Sequence, residues 1–150
     1  MNRTAQLYDN VAIGSLVIDS LVRELTQISL AKSILILPLL LHDPIIKRFS
    51  TSAKFRSIDE FLIKERINLG DVNLRMENML PLTINSISIL LDLNRIRQEG
   101  STLVSIPLEE PVRNIDVGER AKKILKIIQK SSFLFKEEDS STYLKFNIAL

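Results

Sequence analysis

The residues able to do acid, base, nucleophilic or metal chemistry are few. The only histidine is His42, and there is no cysteine. A general base needs a partnered nucleophile and an orienting group, and no recognisable set surrounds this histidine. Its imidazole is better suited to bonding a neighbouring carbonyl while its apolar body packs, a structural or interface role. Adjacent carboxylates stand at Glu109-Glu110 and Glu137-Glu138-Asp139. Both groups sit in polar stretches flanked by proline or serine, where a solvated surface is the expectation. The 4 glycines, Gly14, Gly70, Gly100 and Gly118, are isolated. No phosphate-binding loop, dinucleotide fingerprint or nucleophile elbow is therefore encoded. One histidine without cysteine also leaves no structural zinc site. The residues assign no catalytic group, no metal, no cofactor and no small-molecule substrate, and the chain reads as a non-enzyme.

Cations form two groups. Lys47, Arg48, Lys54 and Arg56 cluster after His42, and Arg95 with Arg97 would protrude from one strand of a hairpin. Each group is either a solvated basic face or a set of phosphate contacts, which are mostly electrostatic and indifferent to sequence. The whole chain does not decide between them, because 20 basic residues against 18 acidic ones leave a net charge of +2. The six phenylalanines, Phe49, Phe55, Phe61, Phe133, Phe135 and Phe146, read as core rather than as base-stacking platforms.

The elements that must position these residues are mostly helices. Val11, Ile13, Leu16, Val17, Leu21 and Leu25 keep helical spacing and predict a first helix over about 10–27, with Asn10 as its cap and Gly14 allowing another backbone to approach. The apolar run 34–41 fits a buried helix or strand. Pro38 would cost about 3 kcal/mol inside a regular helix, so a kinked helix is expected. Asp43-Pro44 should start a short helix to Phe49, with the Asp43 carboxylate as cap. Ser57 to Glu60 is a capping box for a helix to about residue 68, closed by Gly70 in the left-handed conformation. Asp71 should cap a long helix to Leu93, kinked at Pro81, with Leu74, Leu80, Ile84, Ile87 and Leu91 inward.

Beyond residue 94 the pattern alternates on both sides of Glu99-Gly100-Ser101, which predicts a hairpin over about 95–106. Pro107 and Pro111 bound a loop. A helix over about 117–130 buries Ala121, Ile124, Leu125 and Ile128, and alternation over 143–148 predicts a closing strand. A long helix feeding a hairpin is the order of a winged-helix unit. The expected fold is mainly α (α+β), a compact helical domain with a winged-helix-like hairpin. All 150 residues form one domain: a helical part over about 10–93, the hairpin, and a C-terminal helix and strand over about 117–148. An apolar run of eight residues is too short to cross a bilayer. Residues 1–10 are polar and of mixed charge, so a cytoplasmic location is expected and no membrane partner.

Asn10, Gly14 and Leu16 in the first helix, then Leu37, Pro38, Leu41 and His42 followed by the basic stretch Pro44 to Phe49 with Lys47 and Arg48, resemble a known pattern. They are similar to the middle component of prokaryotic three-component ABC systems, a family that includes the C subunit of Lamassu-type antiphage defence. The resemblance spans about residues 10–49. Val11 stands where the family often has proline, and the family's glycine-arginine-tryptophan element is reduced or absent. The resemblance implies a non-catalytic accessory subunit that links an SMC-like or Rad50-like ABC ATPase to an effector in defence against phage or plasmid DNA. On that reading Asn10, Gly14, Leu37, Pro38, His42, Lys47 and Arg48 mark partner docking, and DNA is met through the complex. The competing expectation is an independent winged-helix DNA-binding transcriptional regulator that uses Arg95 and Arg97.

Overall fold

The computed structural model describes residues 3–51, 54–108 and 118–148. Its elements in chain order are α1 (Arg3–Leu25), β1 (Gln27–Ser29), α2 (Leu30–Ser33), α3 (Ile36–Leu40), α4 (Asp43–Ser50), α5 (Ile58–Lys64) and α6 (Val72–Asp92). They continue with β2 (Ile96–Glu99), β3 (Thr102–Ser105), α7 (Gly118–Ser131), a 3-10 turn (Ser132–Phe135) and α8 (Asp139–Lys145). The fold is mainly α with one small antiparallel sheet, as the sequence pattern predicts.

α1 is the central element. Val17, Ile18, Leu21 and Val22 repeat at helical spacing and are fully buried. α6 and α7 both pack against α1 and make little contact with one another. Asn10 does not cap this helix, because α1 begins at Arg3 and Asn10 lies exposed within it. Gly14 does mark a close approach, though side chains make it rather than backbone. A Cβ built at Gly14 would lie 2.7 Å from Ser86 Oγ on α6 and 3.2 Å from Leu37 Cδ1 on α3.

The apolar run is broken rather than kinked. α2 ends at Ser33, and a turn through Ile34 and Leu35 starts α3 with Pro38 as its third residue. There the proline costs no bond, since the first amides of a helix have no partner inside it, and the carbonyl of Ile34 it would have struck lies before the helix. Leu35, Ile36, Leu37, Leu39 and Leu40 are all fully buried. α4 follows with Pro44 in its first turn, as expected, but its cap residue is His42, and the Asp43 side chain makes no cap bond.

The Ser57 cap of α5 is formed: Glu60 N donates to Ser57 Oγ (3.1 Å), while the Glu60 carboxylate reaches back to Arg56 N (2.6 Å). α5 stops at Lys64, four residues short of its expected end. Gly70 does not take the left-handed conformation. Asparagines do that work instead. Asn94 (φ 56°) ends α6 with Arg95 N bonded to Leu90 O (2.9 Å) and Asn94 N to Leu91 O (3.1 Å). Asn147 (φ 53°) repeats both bonds at the end of α8, with Ile148 N on Tyr143 O and Asn147 N on Leu144 O. Both are Schellman closures. α8 and its closing turn replace the expected strand 143–148: six residues of alternation also fit a last helical turn plus its cap, and Phe146 N bonds Thr142 O (3.0 Å) as a helix requires.

The hairpin forms where expected, with Gly100 at φ 60° in its turn. A third strand joins it: β1, which starts at the expected last residue of the first helix, pairs antiparallel with β3, giving the order β1-β3-β2. Thr26, at φ 73°, turns the chain out of α1 into this strand. A strand after the first helix pairing with the returning hairpin strand completes a winged-helix-like sheet. Pro107 and Leu108 are described, whereas residues 109–117, which include Glu109-Glu110, lie outside the described residues.

α6 differs most from expectation. Leu74 and Ile84 are 59% and 54% exposed, whereas Val72, Thr83, Ser86 and Leu90 face the core. The nearest α6 side chain at the Gly14 contact is the small Ser86, and buried Ser86 and Thr83 take core-facing positions that hydropathy assigns to leucine and isoleucine. Pro81 lies inside the helix, as placed from sequence. The phenylalanines behave as core: Phe49, Phe55, Phe61 and Phe133 form one ring cluster with centroid separations of 5.1 to 6.4 Å.

Ser86 Oγ is buried without a hydrogen-bond partner among the described residues. Gly14→Ala should therefore destabilise the fold by about 1 to 2 kcal/mol through overpacking. Ser86→Ala alone should be neutral or stabilising, and the double variant should recover most of the loss, measured as urea denaturation midpoints.

Candidate docking groove

Lysine and arginine side chains hold the short helices after α3 in place. Breaking a helix leaves its last carbonyls without partners, and buried carbonyls must find donors. Arg75 on α6 donates from Nε to Pro38 O (3.1 Å) and from Nη1 to Asn68 O (3.2 Å), and pairs with Asp71. Arg120 on α7 donates to Leu41 O (3.0 Å), and Lys130 donates to Phe49 O (3.2 Å) and Thr51 O (3.3 Å) at the other end of α4. Asp71 thus serves Arg75 rather than the amides of α6, where it makes no cap bond.

The Arg120 and Lys130 contacts set α4 and α7 side by side and parallel, since Arg120 near the start of α7 meets Asp43 at the start of α4 and Lys130 meets its end. Between the two helices runs a groove of about 970 Å³. Ile46, Phe49 and Ile127 form its floor, and Lys47, Lys123 and Lys126 stand along it. Asp43 and Glu119, both more than 80% exposed, occupy one end with Arg120. A smaller hollow of about 280 Å³ lined by Phe49, Lys54, Phe55 and Lys130 adjoins the other end. Of the predicted basic cluster, Lys47 and Lys54 therefore reach these hollows. Arg48 turns away into a 2.7 Å ion pair with Glu65, itself only 3% exposed. Nothing in the linear sequence links residues 43–54 with 119–130; the repeated lysines of α7 were the available signal.

The two halves of the predicted family pattern meet in space at the Gly14 to Leu37 contact. Leu37 and Pro38 are buried, so they belong to the core rather than to the groove surface. His42 lies near the Asn68 backbone, Arg75, Asp71 and Asp43. Burial is the main cause that lowers its pKa below the ordinary histidine value, with the Arg75 charge second. Arg75 was not singled out by sequence.

Arg95 does not protrude. Its Nη2 lies 2.6 Å from the buried Asp19 carboxylate, which Arg23 also contacts at 3.2 Å. Arg23 donates in turn to Ile106 O and Arg95 O, tying the base of the hairpin to α1. Arg97 is exposed and pairs with Glu99 at 2.7 Å. The acidic run near the C-terminus also serves the fold. Asp139 accepts from Ser29 Oγ and pairs with Lys32, while Lys145 and Ser141 bond Glu137 and hold its pKa below the usual carboxylate range.

A second surface lies on α6. Leu80, Ile84, Ile87 and Leu91 follow one another at intervals of four, three and four residues, the spacing of a coiled-coil seam. Leu80 and Ile84 are exposed, while Ile87 and Leu91 are half-buried. No helix among the described residues is long and apolar enough to cross a membrane.

These features define a mainly α protein with a small winged-helix-like sheet, a partly exposed apolar seam and a separate basic groove. The family model of the ABC-three component (ABC-3C) system Middle Component 3 matches residues 1–146, and the chain belongs to that family. No curated protein and no solved structure matches it.

Arg75→Leu should cost about 2 to 3 kcal/mol, since it withdraws charged hydrogen bonds from two carbonyls, read as a lower denaturation midpoint. Because folding lowers the pKa of His42, its contribution is complete above the unfolded value of about 6.5 and is lost as pH falls through the lower folded value. Stability should decline below about pH 6.5, and His42→Gln should remove that part of the decline in a pH series of urea melts.

Proposed function

We propose that this middle component is a non-catalytic bridge between the ABC ATPase of its system and an effector, acting in defence against foreign DNA. The reading is supported by one observation above others: two uncovered surfaces of different chemistry lie on helices that both pack on α1 and barely meet. The α6 seam suits a helix of a coiled-coil ATPase, because its four-three-four spacing is what facing knobs and holes require. The groove between α4 and α7 suits a charged partner.

The test is affinity purification of the tagged chain from its native host. Ile84→Asp, at an exposed seam position, should lose the ATPase and keep the effector. Lys123→Glu with Lys126→Glu should do the reverse. A wild-type chain that runs as a dispersed monomer without either partner, or variants that both lose the same partner, would overturn the reading.

A further inference from the structure

We infer that the groove between α4 and α7 receives an acidic, amphipathic helical segment of a partner protein. This deepens the bridging reading and rests on it for the identity of the partner, the effector.

The occupant follows from the lining. Among the described residues, Lys47, Lys123 and Lys126 carry charge along the groove without an ion pair to offset it, unlike Arg48, which is taken by Glu65. The stems of these lysines and the side chains of Ile46 and Ile127 make the surface between the charges apolar. A ligand carrying both carboxylates and apolar groups satisfies both. The charge is also graded along the axis: Asp43 and Glu119 stand at the end where both helices begin, and Lys130 and Lys54 at the end where both finish. A nucleic-acid backbone is uniformly negative and would find little net positive charge at the end where Arg120 and Lys122 are paired with the two carboxylates. A protein segment can place carboxylates against the lysines and a cation or neutral residue against Asp43 and Glu119.

Length fits as well. The eight residues of α4 span about 12 Å and the fourteen of α7 about 21 Å. Two to four helical turns would therefore lie along the groove. Carboxylates at intervals of three and four residues would meet Lys123 and Lys126, which are three apart on α7.

The experiment replaces Ser50, an exposed residue of the groove wall, with the photocrosslinker p-benzoylphenylalanine in the full chain, expressed in its native host. The crosslinked peptide is then sequenced by mass spectrometry. The expected adduct is a segment of another protein with at least two carboxylates at helical spacing beside apolar residues. Its yield should fall at least tenfold in Lys123→Glu with Lys126→Glu and persist in Lys123→Arg with Lys126→Arg, all with unchanged circular dichroism. An adduct on nucleic acid, on a second copy of this chain, or on a neutral or basic peptide would overturn the inference, as would no adduct. So would salt-sensitive binding of a 20-base-pair duplex by the purified chain that the double glutamate variant abolishes. Loss of the ATPase from Ile84→Asp reports on the bridging reading separately, so the two can fail independently.

Discussion

The structure depends on donors from distant elements that satisfy the carbonyls of a broken helical run. Between residues 30 and 51 the chain makes three short helices instead of one long one, and each interruption frees carbonyls in or beside the core. Arg75 serves Pro38 and Asn68, Arg120 serves Leu41, Lys130 serves Phe49 and Thr51, and the Tyr143 hydroxyl donates to Ala31 O. The donors come from three later helices, α6, α7 and α8, so these bonds form only when the whole fold is assembled. A buried carbonyl without a donor costs the full desolvation of that group. The same bonds therefore stabilise α3 and α4 and fix where α6, α7 and α8 must lie.

The groove is a consequence of this arrangement. Arg120 and Lys130 hold α7 alongside α4 at both ends, and the Phe49 cluster fills the space below. The cations between those two anchors are left facing solvent across an apolar floor. A surface built on such anchored helices is rigid, which lowers the ordering cost of binding. The other side of the molecule follows a different rule. There α1 and α6 approach closely at Gly14 and Ser86, and the large apolar side chains of α6 are displaced outward. Close packing on one face thus produces an uncovered apolar seam on another, and such exposed seams are characteristic of interaction sites.

The wing shows how a charge that looks free in sequence can be absorbed by the fold. Arg95 sits where a winged-helix protein could meet phosphate, yet Asp19 on α1 holds it, and Arg23 closes the same network onto the hairpin carbonyls. The buried Asp19 carboxylate needs cations around it. Arg97, one position inside β2, has its charge met by Glu99. The sheet is thereby fastened to α1, which leaves the groove as the cationic surface with apolar ground beneath it.

Local chemistry was legible in the linear chain wherever neighbours along it decide the outcome. The Ser57 cap, Pro44 in the first turn of α4, the hairpin at Gly100, the amphipathic face of α7 and the resemblance of residues 10–49 all depend on residues within a few positions of each other. The family pattern and the mainly α class were likewise readable from residue types and spacing. The tertiary structure decided what depends on partners far apart. The inward face of α6 was set by the space at Gly14 rather than by hydropathy, and the third strand by pairing with β3 across the chain. Asn94 and Asn147 closed two helices, the second where the pattern suggested a strand, because a left-handed residue is chosen by the bonds available after it. The groove itself joins residues 43–54 to 119–130. Propensity and capping act within a turn or two of the chain, whereas burial, carbonyl satisfaction and charge pairing act through space, and only the folded arrangement brings their partners together.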